Sequence, residues 1–271
     1  GVTGPDEYSA IADDNLYTNV MAGMNLRGAA AAARRHADIA SSLGVTDAET
    51  TAWDDAAAAM TVPYNQRRGV HSQSVGYTDH ARWDFEHTGS EDYPLQDHFP
   101  YFDLYRKQVV KQADLVLALY FAPDMFSLPE KAAAFRYYEA ITVRDSSLSS
   151  TPQAVIAAEV GHLGLASDYL AESAMIDLDD LHDNTEQGLH IAALAGVWTA
   201  LTAGFGGLRD SEEGLRFRPR LPPQVPSMSF GLQVRGQTLR LTITPARTTY
   251  LLRGERPLTV RHFDEELSLE P

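Results

Sequence analysis

Two patterns of hydrophobic and polar positions divide the chain. Up to about residue 207, long stretches rich in Ala, Leu and Met are broken by Gly, Pro and Asp, which is typical of helices. From about residue 215, short stretches alternate with period two between Gly and Pro residues, which is typical of strands. We therefore predict a mainly α domain over residues 1–210 and a small antiparallel, β-sandwich-like domain over residues 211–271.

Capping residues, prolines and glycines predict about seven helices. They are expected from Asp13 or Asp14 to about Ala40, from Asp47 to before Pro63, over 104–121, from Pro129 through Tyr138, from Pro152 to near Gly161, over 166–175 and over 188–203. About five strands are expected over 215–218, 228–235, 239–244, 250–252 and 258–263. Residues 115–120 are apolar on nearly every side, which indicates burial in the inner layer of a layered helical fold.

Residues 63–100 are predicted to form a long irregular segment. The segment has scattered Gly and Pro and many ring side chains, among them Tyr64, His71, Tyr77, Trp83, Phe85, His87, Tyr93 and His98. A loop this long inside a compact domain is often functional. The alternative is a packed aromatic loop that has only a structural role.

The composition excludes several classes of function. The 271 residues include 37 acidic and 22 basic side chains, a formal charge of −15, so the chain repels nucleic acid and anionic lipid. Cysteine is absent, which excludes disulfides, thiol catalysis and cysteine-based zinc sites and fits the cytoplasm, where we expect the protein. No apolar run reaches the roughly 18–20 residues that span a bilayer, and no H-E-x-x-H, P-loop or Rossmann motif occurs. We expect no membrane association, no metal and no cofactor.

Glu7 is a candidate proton donor in the turn sequence Gly4-Pro5-Asp6-Glu7-Tyr8. Pro presets φ and Asp can bond to its own backbone, so such a turn can hold a carboxyl rigidly, as a general acid requires. A desolvated site with a neighbouring acid can also keep a carboxyl protonated near neutral pH. The alternative is a solvated acidic turn, which is common.

Two Lys-Gln pairs are candidates for binding sugar hydroxyls. Lys107-Gln108 and Lys111-Gln112 are four residues apart on one predicted helix, so the pairs share a face. The second pair precedes the apolar run, and a Lys and a Gln at a buried helix end need partners, for which sugar hydroxyls qualify. The alternative is a solvated polar stripe.

Residues 142–149, Thr-Val-Arg-Asp-Ser-Ser-Leu-Ser, are candidates for binding an anion. Backbone amides at a helix start, the Ser146 and Ser147 hydroxyls and the Arg144 guanidinium suit an oxyanion such as phosphate. Helix capping by the serines is the alternative. His190, near the start of the last predicted helix, can also donate to an anion, although a lone His is more often structural.

Several segments resemble, in order and at similar spacing over most of the chain, the family 65 glycoside phosphorylases and hydrolases, which include maltose, kojibiose, nigerose and trehalose phosphorylases. The matching segments are Gly4-Pro5-Asp6-Glu7-Tyr8, Asp14-Asn15-Leu16-Tyr17-Thr18-Asn19, Lys111-Gln112-Ala113-Asp114, Tyr137-Tyr138-Glu139, Asp145-Ser146-Ser147-Leu148-Ser149, Gly188-Leu189-His190-Ile191-Ala192 and Gly204-Phe205-Gly206-Gly207. The resemblance implies part of an (α/α)6 barrel followed by a small C-terminal β domain.

The resemblance also implies roles for single residues. Glu7 matches the family's proton donor. Lys111 and Gln112 match the pair that holds the glucosyl group, and the following Ala-Asp favours Lys111 over Lys107. The residues that surround phosphate in the family match Ser146, Ser147 and His190. Arg144 stands where many phosphorylases have His, and we expect its charge to face the same anion.

Full members of the family are longer than this chain. They carry an N-terminal β domain, linker helices and the first barrel helices, with a Trp-Asp pair that binds the glucosyl group. This sequence begins at Gly1 and contains none of them, so it cannot close the barrel alone. We expect a truncated or nicked protein, or a partner chain that completes the barrel. Relatives are often dimers, so a homodimer is among the expected assemblies.

The resemblance implies one of two inverting reactions. A hydrolase needs a second carboxylate to activate water, for which Glu139 and Asp145 are the candidates. A phosphorylase needs none, because phosphate is already anionic and attacks the anomeric carbon while Glu7 protonates the leaving oxygen. The phosphate donors favour phosphorolysis of an α-glucoside disaccharide (trehalose, kojibiose, nigerose or maltose type) to β-glucose 1-phosphate. Hydrolysis is the alternative, and a non-catalytic scaffold is the third hypothesis.

Overall fold

A computed structural model describes residues 1–211 and 214–271 of the chain. Two compact units are present, Gly1–Ser146 and Ser147–Pro271. The boundary between these units follows Ser146, whereas the predicted boundary between a helical and a β domain follows residue 210. A compact unit is not the same thing as a domain, so the predicted domains stay a prediction.

The first unit consists of helices, short turns of 3-10 helix and four strands of two residues. The helices are α1 Leu16–Arg35, α2 Ala37–Ser42, α3 Asp47–Ala58, α4 Leu95–His98, α5 Tyr101–Leu104, α6 Asp114–Phe121 and α7 Leu128–Glu139. The strands are β1 Tyr64–Asn65, β2 Val70–His71, β3 Ala81–Arg82 and β4 Lys107–Gln108. β1 pairs with β2 antiparallel, and β3 pairs with β4 parallel.

The first helix begins and ends differently from the prediction. Its N-cap is Asn15, whose side chain accepts a hydrogen bond from the Thr18 amide, and neither Asp13 nor Asp14 caps it. Asp14 instead has a positive φ of 48° and belongs to the preceding turn. The helix does not run on to Ala40, because His36 leaves the helical conformation at φ −120° and ψ 54° and α2 follows as a separate helix.

The predicted helix over 104–121 is wrong in its first half. α5 ends at Leu104, residues 107–108 form β4, and α6 begins only at Asp114. Val110 is buried and extended: its amide donates to the Ile141 carbonyl (2.9 Å) and its carbonyl accepts from the Val143 amide (2.9 Å). A β-branched residue held by these long-range bonds favours strand over helix. The two Lys-Gln pairs therefore do not share a helix face.

Burial of the apolar run over 115–120 is confirmed for four of its six residues, whereas Leu117 and Tyr120 are only partly buried. Leu115, Val116, Ala118 and Leu119 of α6 are all fully buried. The helix packs against α1 and α7, so it lies inside the helical layer of its unit.

The segment over 63–100 is irregular, as predicted, and part of it is packed. Its regular elements are β1–β3, α4 and the 3-10 turns Tyr77–Asp79, Phe85–His87 and Ser90–Asp92. One cluster of buried side chains joins it to the N-terminal turn and to the segment before α6 and consists of Tyr8, Trp83, Leu95, Leu104 and Val109.

The second unit has three α-helices followed by strands. The helices are α8 Ser150–Val160, α9 Leu163–Met175 and α10 Ile191–Thr199, and α10 continues as a π-helix over Ala200–Phe205. The strands are β5 Arg209–Ser211, β6 Gly214–Phe217, β7 Met228–Val234, β8 Gln237–Ile243, β9 Thr248–Arg253, β10 Leu258–His262 and β11 Glu265–Leu269. β5 and β11 were not predicted, and the helix predicted over 188–203 begins later, at Ile191.

The strands form two sheets. One has the order β11-β10-β6-β5 and the other the order β7-β8-β9. All neighbours are antiparallel except β6 and β10, which run parallel, so the predicted antiparallel arrangement holds with one exception. Side chains of both sheets form one hydrophobic core that contains Phe217, Phe230, Leu239, Leu241, Ile243, Leu252, Leu258 and Val260.

No helix within residues 1–211 and 214–271 combines the length and the hydropathy that a membrane crossing requires.

Two leucines on adjacent strands test this core. Leu239 on β8 is 0% exposed and Leu251 on β9 is 47% exposed. Leu239→Ala leaves a cavity and should lower the free energy of unfolding by about 2–5 kcal/mol. Leu251→Ala should change it by only about 0.5 kcal/mol. Urea denaturation followed by circular dichroism measures both, and equal losses would contradict the assigned core.

Candidate active site

Glu7 is exposed between two buried neighbours. Its side chain is 60% exposed, whereas Asp6 and Tyr8 are buried. The turn therefore directs one carboxyl outward and holds itself by the residues on either side. This alternation gives the carboxyl a rigid mounting, but its exposure and its ion pair with Lys111 differ from the desolvated site that was expected.

Asp6 anchors the turn through four hydrogen bonds. Its Oδ1 accepts from the backbone amides of Lys111 (2.9 Å) and Tyr8 (3.2 Å). Its Oδ2 accepts from Ser9 Oγ (3.0 Å) and Gln73 Nε2 (2.8 Å). Burial raises the pKa of Asp6, and these four donors oppose that rise because they stabilise the carboxylate.

A second buried carboxyl, Asp114, lies under the same turn. Its Oδ2 accepts from Asn15 Nδ2 (2.9 Å). Burial raises the pKa of Asp114 well above its usual range, and the charge of Asp6 raises it further. A Cβ on Gly4 would lie 2.5 Å from Asp114 Oδ2 and 2.6 Å from Asn15 Nδ2, so only glycine fits at this position without a shift. The packing explains why the turn begins with glycine.

Lys111 and Gln112 lie in the loop before α6 and contact the turn directly. Lys111 Nζ forms an ion pair with Glu7 Oε2. Gln112 Nε2 donates to the Pro5 carbonyl, and Gln112 Oε1 accepts from Ser146 Oγ (2.7 Å). The structure thus brings together four of the predicted site residues: Glu7, Lys111, Gln112 and Ser146.

The other Lys-Gln pair has a different environment. Gln108 is buried and donates to the carbonyls of Thr78 (3.1 Å) and His80, while it accepts from Tyr137 Oη (2.5 Å). The amide group of Gln108 is therefore occupied by the protein itself. The amide group of Gln112 also bonds within the protein, so these contacts do not separate the two pairs, and the choice of the second pair stays a prediction.

Asp145 ties the turn to the segment that carries Arg144 and Ser146. Its Oδ2 accepts from Tyr8 Oη (2.6 Å) and from the Leu95 amide (2.9 Å). Tyr8 Oη in turn accepts from the Gln96 amide (3.1 Å). Burial raises the pKa of Tyr8, and the Asp145 carboxylate raises it further.

Arg144 adjoins this anchor in an uncommon conformation. Its φ is 61°, in the left-handed region, and its guanidinium lies 3.8 Å from the Glu139 carboxylate. The backbone thus turns sharply immediately before Asp145 and Ser146.

Ser147 and His190, the other predicted residues, belong to the second unit. Ser147 is half-buried at the start of that unit. His190 is the residue before α10 and is held by Asp177: its amide donates to Asp177 Oδ2 (2.9 Å), and its Nδ1 lies 2.6 Å from Asp177 Oδ1.

Three residues that hold the cluster in the first unit were not predicted: Asp6, Tyr8 and Gln73. Asp177, which holds His190 in the second unit, was not predicted either. Asp6 and Tyr8 flank Glu7 in the turn sequence that carries the family resemblance, so their positions beside it could have marked them. Gln73 lies in the irregular segment and Asp177 in an acidic run, where nothing local distinguishes them. Among residues 1–211 and 214–271, no group of three or more His, Asp or Glu side chains is arranged to hold a metal ion.

An exposed carboxyl beside an ammonium, a carboxamide and a hydroxyl suits a polyhydroxylated substrate that is to be protonated.

The central catalytic domain model of glycosyl hydrolase family 65 matches residues 1–199, and the C-terminal domain model of that family matches residues 208–269. The chain therefore belongs to glycosyl hydrolase family 65, as the sequence resemblance indicated.

The chain is similar to longer proteins. An uncharacterized glycosyl hydrolase of Mycobacterium tuberculosis is 50% identical over 99% of this chain and 34% of its own length. An α,α-trehalose phosphorylase of Geobacillus stearothermophilus is 40% identical over 99% of this chain and 36% of its own length. The chain thus spans about a third of the length of these curated relatives.

A solved structure also matches the chain. A provisionally named kojibiose phosphorylase from the human microbiome matches with a TM-score of 0.87 and 25% identity, over 99% of this chain and 38% of that chain. The match confirms the predicted fold class, a mainly α part of an (α/α)6 barrel followed by a β region.

The buried carboxyls give the stability of the protein a defined pH dependence. With pKa values raised above the value of about 3.9 in an unfolded chain, Asp6 and Asp114 bind more protons when folded. Their contribution to the free energy of unfolding is therefore fully present below about pH 4 and falls as the pH rises through the folded pKa values. Asp114→Asn removes one titrating group. Urea denaturation from pH 4 to 7 should show a shallower fall for the variant, and an unchanged slope would refute the assignment.

The bond between Tyr8 and Asp145 can be tested with matched tyrosines. Tyr8→Phe removes a buried donor and leaves the Gln96 amide without its acceptor, so we expect a loss of about 1–3 kcal/mol in the free energy of unfolding. Tyr101 Oη donates to the Glu7 carbonyl (2.9 Å) from an exposed side chain, and Tyr101→Phe should cost less than about 1 kcal/mol. Denaturant titration of both variants measures the difference, and a larger loss for Tyr101→Phe would argue against the Tyr8 anchor.

Proposed function

We propose that this chain carries the proton-donor half of an inverting phosphorylase for α-glucoside disaccharides, with Glu7 as the general acid. The observation that carries the proposal is the cluster in the first unit, where the exposed Glu7 carboxyl lies beside Lys111 and Gln112, and Gln112 contacts Ser146. Membership of family 65 and the phosphorylase names of several relatives support it.

The reaction balances with a single acid group. A phosphate oxygen forms a bond to the anomeric carbon from the face opposite the glycosidic oxygen, and the bond from that carbon to the glycosidic oxygen breaks. Glu7 gives its proton to the leaving oxygen, which departs as the hydroxyl of the free sugar. The proton of hydrogen phosphate restores Glu7, and the product is β-glucose 1-phosphate.

Lys111 and Gln112 share one task in this proposal, and Lys111 has a second. Both hold hydroxyls of the glucosyl group, as the family resemblance implies. Lys111 also contacts Glu7, so its ammonium can stabilise the carboxylate that forms when Glu7 has given up its proton. Gln112 is oriented for its task because its amide bonds to the Pro5 carbonyl and the Ser146 hydroxyl.

Phosphate is bound in this proposal by donors from both sequence segments that the family resemblance identified. They are Arg144, Ser146, Ser147 and His190. A guanidinium, a hydroxyl and an imidazole are each able to donate hydrogen bonds to phosphate oxygens.

The environment of the two other carboxyls supports phosphorolysis over hydrolysis. A hydrolytic base must be available to a water molecule opposite the acid. Asp145 accepts from Tyr8 and the Leu95 amide, and Glu139 lies beside Arg144. Both carboxyls therefore have structural partners, and an attacking phosphate needs neither of them.

We also propose that further residues complete the (α/α)6 barrel. The chain spans about a third of the length of its curated relatives, and the remaining barrel helices come from a longer form of the same polypeptide or from a partner chain. Activity is accordingly expected of the complete assembly, with the disaccharide and phosphate as its substrates.

The proposal predicts phosphate-dependent turnover that requires Glu7. In the complete protein, Glu7→Gln should lower the rate of disaccharide phosphorolysis by about 10²–10⁴-fold, because the leaving oxygen then lacks a proton donor. Turnover of α-glucosyl fluoride, whose leaving group needs little protonation, should fall much less. Glu49→Gln, an exposed acid on α3, serves as the matched control.

The assay uses trehalose, kojibiose, nigerose and maltose, each with and without phosphate, and measures glucose 1-phosphate and glucose. Glucose release that does not depend on phosphate would show a hydrolase instead. Absence of turnover by the complete protein on all four sugars would favour a scaffold.

A further inference from the structure

We propose that Asp177 is a positioning residue that sets the tautomer and orientation of His190, so that Nε2 is the ring atom offered to phosphate. The inference rests on the proposed function, because it names how one phosphate donor of that site is prepared. It adds a residue that neither the sequence motifs nor the family resemblance singled out.

The contact between Asp177 and His190 has two parts. One carboxylate oxygen, Oδ2, accepts from the His190 amide (2.9 Å), and the other, Oδ1, lies 2.6 Å from His190 Nδ1. The Asp177 side chain is 7% exposed and the His190 side chain is 18% exposed. A bond to the backbone and a bond to the ring from one carboxylate fix both the position and the rotation of the imidazole.

The chemistry of the pair fixes the proton as well. A carboxylate can only accept hydrogen bonds, so Nδ1 must carry the proton that it shares with Asp177. Nε2 is then the remaining ring atom for a ligand. Neutral His190 can accept there from a protonated phosphate oxygen, and protonated His190 can donate to a bare one, with the Asp177 charge compensating the ring.

Asp177 and His190 lie in the turn between α9 and α10, residues 176–190, and this turn is itself held by hydrogen bonds. Asp180 Oδ1 accepts from the Asn184 amide (3.0 Å), the Thr185 amide (3.0 Å) and Thr185 Oγ1 (2.6 Å). These bonds lower the pKa of Asp180, and the nearby His190 adds to that effect. A turn closed in this way keeps Asp177 and His190 in place before any ligand binds.

Asp177, Asp180 and His182 are the titratable groups of the described turn that face His190. The His182 ring centroid lies 6.0 Å from that of His190, and Asp180 interacts with His190 through charge. Asn at position 177 has only one acceptor oxygen, so it cannot accept from both the His190 amide and Nδ1, and the orientation of the ring towards phosphate should weaken.

Steady-state kinetics of the complete protein provide the first test. Asp177→Asn should raise the KM for phosphate about tenfold or more, the effect seen when carboxylates that orient metal-bound histidines are removed, and should change the KM for the disaccharide much less. Asp177→Glu should restore part of the phosphate affinity. Asp179→Asn, an exposed acid in the same turn, is the matched control and should behave as wild type. A phosphate KM that is unchanged in Asp177→Asn overturns the inference.

Nitrogen-15 NMR of the unaltered protein provides a second test that needs no variant to fold. The His190 signals should show a protonated Nδ1 in the neutral ring, and added inorganic phosphate should shift the Nε2 signal. A protonated Nε2 with a bare Nδ1, or no phosphate-induced shift while turnover stays phosphate-dependent, overturns the inference alone. Phosphate-independent turnover overturns the proposed function, whatever the state of the ring.

Discussion

The buried carboxyl of Asp6 is the interaction on which the first unit's site depends. It joins three stretches of chain that are far apart in sequence: its own turn, the loop at Lys111 and the irregular segment at Gln73. Such a group costs free energy to bury, and only a full set of donors makes it acceptable. Those donors are backbone and side-chain groups whose positions also determine where Glu7 and Lys111 lie. The donors that make the burial of Asp6 possible are therefore the same groups that position the candidate site.

Tyr8 adds a second tie on the other side of Glu7. Through its hydroxyl the turn is joined to Asp145, and through Asp145 to the amide of Leu95. Asp6 and Tyr8 thus connect the acid to two different segments, one with Lys111 and one with Ser146. Rotation of the turn about either tie would break the other, which explains how an exposed side chain can still have a defined position.

The sequence was informative where structure is local and misleading where it is not. Capping and turn residues located α3, α7 and α8 and the sequential strands β7, β8 and β9, because those elements depend on near neighbours. The helix predicted over 104–121 was wrong because Val110 is held by backbone bonds at Ile141 and Val143, which no local pattern reveals. β5 and β11 were missed because these edge strands, Arg-Asp-Ser and Glu-Glu-Leu-Ser-Leu, consist mostly of polar residues and so lack the apolar positions that mark a strand.

The same distinction applies to the candidate site. Glu7, Lys111 and Gln112 could be selected because they stand in recognisable segments, and three-dimensional contact brings them together. Gln73 and Asp177 could not, since each acts through a partner that folding alone supplies.

On the proposed function, catalysis and folding depend on different residues of the turn: the reaction on the exposed Glu7, and the fold on the buried Asp6 and Tyr8. Its neighbours carry the bonds that hold the turn, whereas its own carboxyl is 60% exposed and pairs with Lys111, whose side chain is 12% exposed. On the proposed function, Glu7→Gln removes the proton donor but keeps an acceptor for Lys111, so the turn should still fold. On that proposal, one change at this position removes the reaction and leaves the scaffold folded, so a folded chain of this kind need not be an active one.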